Sequence, residues 1–146
     1  MRLDHHFEDF QMTTLRSRAL AAALIGLGLF ATAGFARADV KDYEFKLLDP
    51  VITAGKDKIV AVKLVNKTTG QPVSDAVIFA TRLDMAPEGM AEMATKIALQ
   101  PGSTEPGVYK FKATFGMEGK WLLSLGAKLQ GETGTVEGKL VISANK

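Results

Sequence analysis

The 146-residue chain carries 18 basic and 16 acidic side chains, two histidines and no cysteine. Its length suits one domain with a hydrophobic core and is too short for two, and its singly scattered charges exclude a basic face for nucleic acid. The lack of cysteine excludes a disulfide-stabilised fold, so the core alone must stabilise the domain.

The N-terminal segment has the features of an export signal. Arg16 and Arg18 precede an uncharged run over residues 19–36, and Ala36-Arg37-Ala38 has the small-x-small pattern that signal peptidase recognises. We therefore expect residues 1–38 to be a signal peptide and the rest of the chain to be exported to the periplasm.

Two alternatives stay open for this segment. Translation starting at Met12 would remove Asp4, Glu8 and Asp9, acidic residues that do not suit the positive start of a signal peptide. Residues 19–36 are also near the lower length limit for spanning a bilayer, so the second alternative is a retained anchor in the inner membrane.

Residues 39–146 are expected to form one all-β domain. Short segments with apolar alternation or continuous apolar character are separated by clusters of Gly, Pro, Asn, Asp and Thr, and no stretch has a sustained helical period. Seven strands are predicted, over residues 42–48, 58–65, 76–84, 95–100, 108–115, 120–129 and 135–143. This spacing is typical of an immunoglobulin-like β-sandwich of antiparallel strands, with a small barrel as the second choice.

The aromatic residues indicate which strand faces form the core. The sixth predicted strand places Trp121 on the same face as its alternate aliphatic residues, and Phe79, Phe111 and Phe115 are expected to pack with it. Tyr109 follows a Pro-Gly turn and is expected to pack and form a hydrogen bond at a strand corner.

The predicted strand order sorts the loops. If each strand runs from one end of the domain to the other, the loops over residues 49–57, 85–94 and 116–119 share one pole. That pole contains all four methionines of residues 39–146, which are Met85, Met90, Met93 and Met117.

Methionine sulfur is a soft, uncharged donor, so converging thioethers without imidazole or thiolate favour Cu(I) or Ag(I) over Zn(II). The four methionines are therefore candidate Cu(I) ligands. Two alternatives are that they fill gaps at the end of the sandwich, or that they form a surface for a partner protein. Asp84 precedes Met85, and Glu88 and Glu92 lie between the methionines in sequence. They are interpreted as residues of a solvated loop, and the alternative is that they contact the ion or provide a negative potential that attracts it.

Two segments, residues 106–111 and 115–123, together with the preceding methionine loop, resemble the YtkA-like / FixH-type domain of exported bacterial proteins. The resemblance implies an immunoglobulin-like sandwich found beside copper-efflux and copper-delivery machinery, including the assembly of copper-containing oxidases. The features that this chain shares with the family are the methionine loop, Met117 and the Gly119-Lys120-Trp121 turn. The chain departs from FixH-type proteins at Ala36-Arg37-Ala38, because those proteins retain a membrane helix.

The leading hypothesis is a periplasmic protein that binds Cu(I) and passes it to a copper exporter or a copper-receiving protein. The alternative is an interaction module that docks on a membrane transport or oxidase-assembly complex without any ion. An enzyme is not expected, because residues 39–146 contain neither His nor Cys, which removes most nucleophile–base pairs.

Overall fold

A computed structural model describes residues 39–146, so the predicted signal peptide, its alternatives and the membrane anchor lie outside the described residues. Two single-turn 3-10 helices, Val40–Asp42 and Ala86–Glu88, accompany nine strands. The strands are β1 Tyr43–Leu47, β2 Val51–Thr53, β3 Gly55–Asn66, β4 Val77–Met85, β5 Met90–Thr95, β6 Ile97–Gln100, β7 Val108–Phe115, β8 Gly119–Lys128 and β9 Val136–Asn145. Within residues 39–146, neither helix has the length and hydropathy needed to cross a bilayer.

The strands form two sheets. Sheet A has the order β1-β3-β7-β6, and sheet B has the order β2-β9-β8-β4-β5. All neighbours are antiparallel except β2 and β9, which are parallel. Removing β2 and β5 leaves four strands in one sheet and three in the other, in the order of a constant-type immunoglobulin domain. The predicted immunoglobulin-like sandwich is therefore confirmed.

The sequence prediction missed two strands, which lie in segments predicted as loops. β2 is only three residues long, and its partner β9 is remote in sequence. β5 has the sequence Met-Ala-Glu-Met-Ala-Thr, which is poor in the β-branched and aromatic residues that favour strands. It is a strand because its ends pair with the end of β4.

The core lies between the sheets and contains the predicted face of β8. Trp121 is buried, and its ring meets Phe115 edge-to-face with centroids 5.6 Å apart. The prediction that Phe79 is a core residue is wrong, because its side chain is 58% exposed. The β4–β8 register shifts between Ile78 and Ala80, so Phe79 occupies a bulge rather than an inward position.

One aromatic ring joins the two sheets directly. Phe45 of β1 is buried against Gly138 of β9, where an added Cβ would lie 2.6 Å from Phe45 Cδ2. The ring therefore occupies the space of the missing side chain.

Tyr109 secures the connection between β3 and β4 at one end of the sandwich. Its hydroxyl donates to the Val73 carbonyl over 2.8 Å and accepts from the Ala76 N–H over 3.1 Å. Burial raises the pKa of Tyr109, the Ala76 hydrogen bond lowers it, and the nearby Asp75 carboxylate raises it, with a net upward shift. The expected hydrogen bond at a strand corner is confirmed.

Tyr109→Phe is expected to destabilise the domain by about 1–3 kcal/mol, because it leaves the Val73 carbonyl and the Ala76 N–H without their partner. Urea unfolding followed by the fluorescence of the single tryptophan measures this loss. Tyr43→Phe is the matched control, since the Tyr43 hydroxyl has no hydrogen-bond partner among residues 39–146. Equal stability losses in the two variants would contradict this role for Tyr109.

Candidate metal centre at the methionine pole

The strand register brings the predicted methionine segments to one end of the sandwich. Gly55 pairs with Phe115, so β3 begins where β7 ends. Asp84 pairs with Leu122, so β4 ends where β8 begins. We call this end the methionine pole and define it by the β4–β5 hairpin, residues 83–95, and the β7–β8 turn, residues 116–118.

The four methionines occupy different positions at this pole. Met85 is the last residue of β4 and is only 1% exposed, and the half-buried Met90 begins β5. Met93 lies within β5 and Met117 in the β7–β8 turn, and their side chains are 43% and 42% exposed. The prediction that all four lie in loops is therefore wrong for Met85, Met90 and Met93, which are strand residues.

Met85 and Met90 come together in the structure. They are register partners, and residues directly opposite in an antiparallel pair point to the same face with Cβ atoms about 4.5–5.5 Å apart. Both side chains pack with the core cluster. These two thioethers are therefore neighbours at the inner side of the pole.

Met85 also contacts the turn that carries Met117. Gly119 has φ +130°, and a Cβ added to it would lie 2.9 Å from the Met85 methyl carbon and 3.4 Å from Glu88 Oε1. Only glycine suits both this backbone conformation and this close approach. Met117, two residues earlier, thus lies on the turn against which the hairpin packs.

Two hydrogen bonds fix the turn. The Trp121 indole N–H donates to the Met117 carbonyl over 3.2 Å, and the Lys120 N–H donates to Glu88 Oε1 over 2.9 Å. The Met117 backbone is therefore anchored to the core while its side chain extends into solvent.

Met93 lies apart from the other methionines. It is in the irregular part of β5, between Met90, which pairs with Met85, and Ala94, which pairs with Asp84.

Asp84 is not a residue of a solvated loop, as the sequence had suggested. It is buried in β4, where its carboxylate accepts from Arg82 Nε over 2.5 Å and from the Ala86 N–H over 2.9 Å. Burial favours the neutral carboxyl, but these two hydrogen bonds and the Arg82 charge outweigh it, so the pKa of Asp84 lies below its ordinary value of 3.8. Arg82 Nη2 also donates to the Ala91 carbonyl over 2.7 Å.

The sequence analysis did not predict that Arg82 pairs with Asp84. The signal was available, because residues 82 and 84 have opposite charges and lie two residues apart on a predicted strand, which places them on the same face. The Asp84 carboxylate is therefore already hydrogen-bonded within the hairpin. One oxygen of Glu88 accepts the Lys120 N–H, and Glu92 is exposed. Within residues 39–146, no three or more His, Cys, Asp or Glu side chains are grouped to hold a metal ion. The soft-donor candidates at the pole are the thioethers.

Comparison with known proteins gives one family match. The model of the YtkA-like family matches residues 37–126, more than half of the chain. No curated protein matches this chain. Among solved structures, the Lin-41 filamin domain is similar at 16% identity and TM-score 0.39, over 66% of this chain and 91% of that one. The ZirS C-terminal domain is similar at 14% identity and TM-score 0.41, over 73% of this chain and 67% of that one.

The titration of Asp84 predicts a pH-dependent stability. Since the folded-state pKa lies below the unfolded-state value, the stabilisation is fully present above the unfolded-state pKa and is lost as the pH falls through the folded-state pKa. Asp84→Asn is therefore expected to cost about 1–3 kcal/mol at pH 7 and progressively less below pH 3.8.

Urea unfolding of Asp84→Asn and of the wild-type protein between pH 7 and pH 2.5 measures this difference. Glu92→Gln, which neutralises an exposed carboxylate in the same hairpin, is the matched control and is expected to change stability little at any pH. A difference between Asp84→Asn and wild type that stays constant with pH would contradict the proposed titration.

Gly119→Ala is expected to destabilise the domain by about 1–3 kcal/mol, because alanine at φ +130° is strained and its Cβ would displace the Met85 methyl group from its packed position. Gly116→Ala in the same turn is the control, since a Cβ there has no atom within 4 Å. Thermal or urea unfolding compares the two. Equal stability of the two variants would show that the Met85–Gly119 contact does not constrain the pole.

Proposed function

The chain belongs to the YtkA-like family, and from this premise we propose that it binds Cu(I) at the methionine pole and transfers the ion to another protein. The observation that carries the proposal is the pairing of Met85 with Met90 beside the turn that bears Met117. Three soft donors from two adjacent chain segments can approach one ion there, whereas sequence spacing alone separates them by up to 32 residues.

The burial of the three sulfur-bearing side chains suggests how an ion enters. Met117 is exposed and makes the first contact, the half-buried Met90 is the second ligand, and Met85 forms the floor of the site with its terminal methyl group against Gly119. Methionine has three rotatable side-chain bonds, so its sulfur can turn toward an ion without a backbone change. Met93 is exposed on the irregular part of β5 and has an accessory role.

Thioether ligands suit a carrier that must release its ion. They bind without losing a proton and do not form disulfides, so neither protonation near neutral pH nor disulfide formation blocks them. Only coordinate bonds to the ion form and break in this proposed function, so it involves no catalysed reaction. The proposal includes a periplasmic location and a copper exporter or copper-receiving protein as the partner. The narrower FixH-type resemblance, with its association with oxidase assembly, belongs to the alternative function.

The competing function is an interaction module that docks on a membrane transport or oxidase-assembly complex without an ion. The exposure of Met93 and Met117 favours it, because exposed methionines form adaptable contact surfaces. The two functions differ in whether Cu(I) binds the isolated protein.

Anaerobic titration with Cu(I) against a chromogenic chelator tests the proposal. Replacing Met85, Met90 and Met117 together by leucine is expected to weaken Cu(I) binding by at least about tenfold, because leucine keeps the side-chain volume but has no donor atom. Met93→Leu is the matched control in the same hairpin and is expected to retain the affinity within about threefold. Zn(II) in excess is expected not to displace Cu(I).

The fluorescence of Trp121 gives a second readout, because its indole is bonded to the Met117 carbonyl. Ag(I), which has the same ligand preference and no redox chemistry, is expected to change this signal in the wild-type protein and not in the triple variant. Equal affinity of the wild type and the triple variant would end the copper proposal and favour the interaction module. Equal losses in Met93→Leu and Met90→Leu would overturn the three-sulfur site.

A further inference from the structure

The four methionines of the pole differ in how far solvent reaches them. Met85 is buried and Met90 is half-buried, whereas Met93 and Met117 are exposed to nearly the same extent, 43% and 42%. The chain has no cysteine, so thioethers are its only sulfur groups. Methionine is oxidised to the sulfoxide where its sulfur is accessible. Among residues 39–146, Met93 and Met117 are therefore the sulfurs that an oxidant in solution reaches first.

Oxidation of a thioether by a peroxide is a two-electron step that changes its character as a ligand. The sulfur lone pair attacks one oxygen of hydrogen peroxide, and the O–O bond breaks as the S–O bond forms. The second oxygen leaves as water with both protons of the peroxide, so sulfur is oxidised and the peroxide is reduced. The sulfoxide sulfur is a much weaker donor than the thioether, and the sulfoxide oxygen is a hard donor that suits Cu(I) poorly.

Met117 is placed so that oxidation changes a ligand without disturbing the fold. Its carbonyl accepts the Trp121 indole N–H, which fixes the backbone, while its side chain extends into solvent, where a sulfoxide oxygen stays hydrated. Met85 is the opposite case. Its terminal methyl group lies against Gly119 at the edge of the core, so a sulfoxide oxygen on Met85 would have to be buried. Burial thus protects the inner ligand and leaves the outer ligand open to an oxidant.

A bound ion and an oxidant compete for the same electrons of Met117. The lone pair that coordinates a soft ion is the lone pair that attacks a peroxide, so a coordinated thioether is protected and an oxidised thioether binds weakly. Met93 has the same exposure but lies apart from the paired Met85 and Met90. Its oxidation is therefore independent of an ion at the three-sulfur site, which makes Met93 an internal reference for the reactivity of an exposed methionine.

We propose that Met117 is an oxidation site that regulates the methionine pole: a peroxide converts its thioether to the sulfoxide and thereby lowers the affinity for Cu(I). The inference rests on the proposed Cu(I) function. Because methionine sulfoxide is reduced by dedicated reductases, the change is reversible. The protein that holds an ion is protected, whereas the empty protein loses the ligand that makes the first contact with the ion. An oxidant therefore prevents loading rather than forcing release.

Peptide mass spectrometry after brief treatment with hydrogen peroxide measures the oxidation of each methionine. We expect Met93 and Met117 to be oxidised at rates within about twofold of each other, and Met85 at least about tenfold more slowly. Saturating Ag(I) is expected to slow the oxidation of Met117 at least about tenfold and to leave the rate for Met93 unchanged. Ag(I) replaces Cu(I) in this measurement because Cu(I) itself reacts with peroxide.

The Cu(I) affinity before and after oxidation tests the effect on binding. In Met93→Leu, Met117 is the one strongly exposed methionine of residues 39–146. Peroxide treatment, ended with catalase, is expected to lower the Cu(I) affinity of this variant at least about fivefold, and a methionine sulfoxide reductase is expected to restore it. In Met117→Leu, the same treatment oxidises Met93 and is expected to change the affinity by less than about twofold. Circular dichroism checks that the treated proteins keep their strands.

Equal Cu(I) affinity of Met93→Leu before and after oxidation of Met117 would overturn this inference, and so would equal protection of Met93 and Met117 by Ag(I). Oxidation of Met85 as rapid as that of Met117 in the folded protein would also contradict it. In each of these cases, Cu(I) binding by the untreated protein would still support the proposed function. An untreated protein that binds neither Cu(I) nor Ag(I) would overturn the proposed function, and this inference with it.

Discussion

The contact between the Met85 methyl group and Gly119 determines the geometry of the methionine pole. β4 ends there with a buried thioether, and a Cβ at position 119, at the start of β8, would displace the terminal methyl group of that side chain. Glu88 extends the contact by accepting a hydrogen bond from the Lys120 N–H. One apolar and one polar contact thus hold the hairpin on the turn, and the relative positions of Met85, Met90 and Met117 depend on both.

The fold could be predicted where a strand is amphipathic or wholly apolar on one face. β7 has the predicted bounds, and β8 buries its predicted face, because alternation with period two is a direct consequence of strand geometry. β2 and β5 could not be predicted, because each becomes a strand through a partner rather than through its own composition. The prediction that Phe79 is a core residue was wrong for a related reason, since one extra residue in β4 turns its side chain outward.

The candidate site could be predicted in its location and not in its details. The order of the strands was enough to bring the methionine segments to one pole, because successive strands run in opposite directions. Burial could not be predicted, since methionine fits equally well in a core, as Met85 does, or in solvent, as Met117 does. The role of Asp84 depends on Arg82 and on the Ala86 N–H, which only the folded hairpin brings to its carboxylate.

The ring of Phe45 crosses from sheet A into the gap at Gly138 of sheet B. The ring packs in the space that a side chain at position 138 would occupy. Sliding of one sheet along the other would bring the ring against the backbone of β9. This contact therefore opposes sliding of β1 along β9. A larger side chain at position 138 would have to displace this ring, so the packing of β1 and the packing of β9 depend on each other at this point.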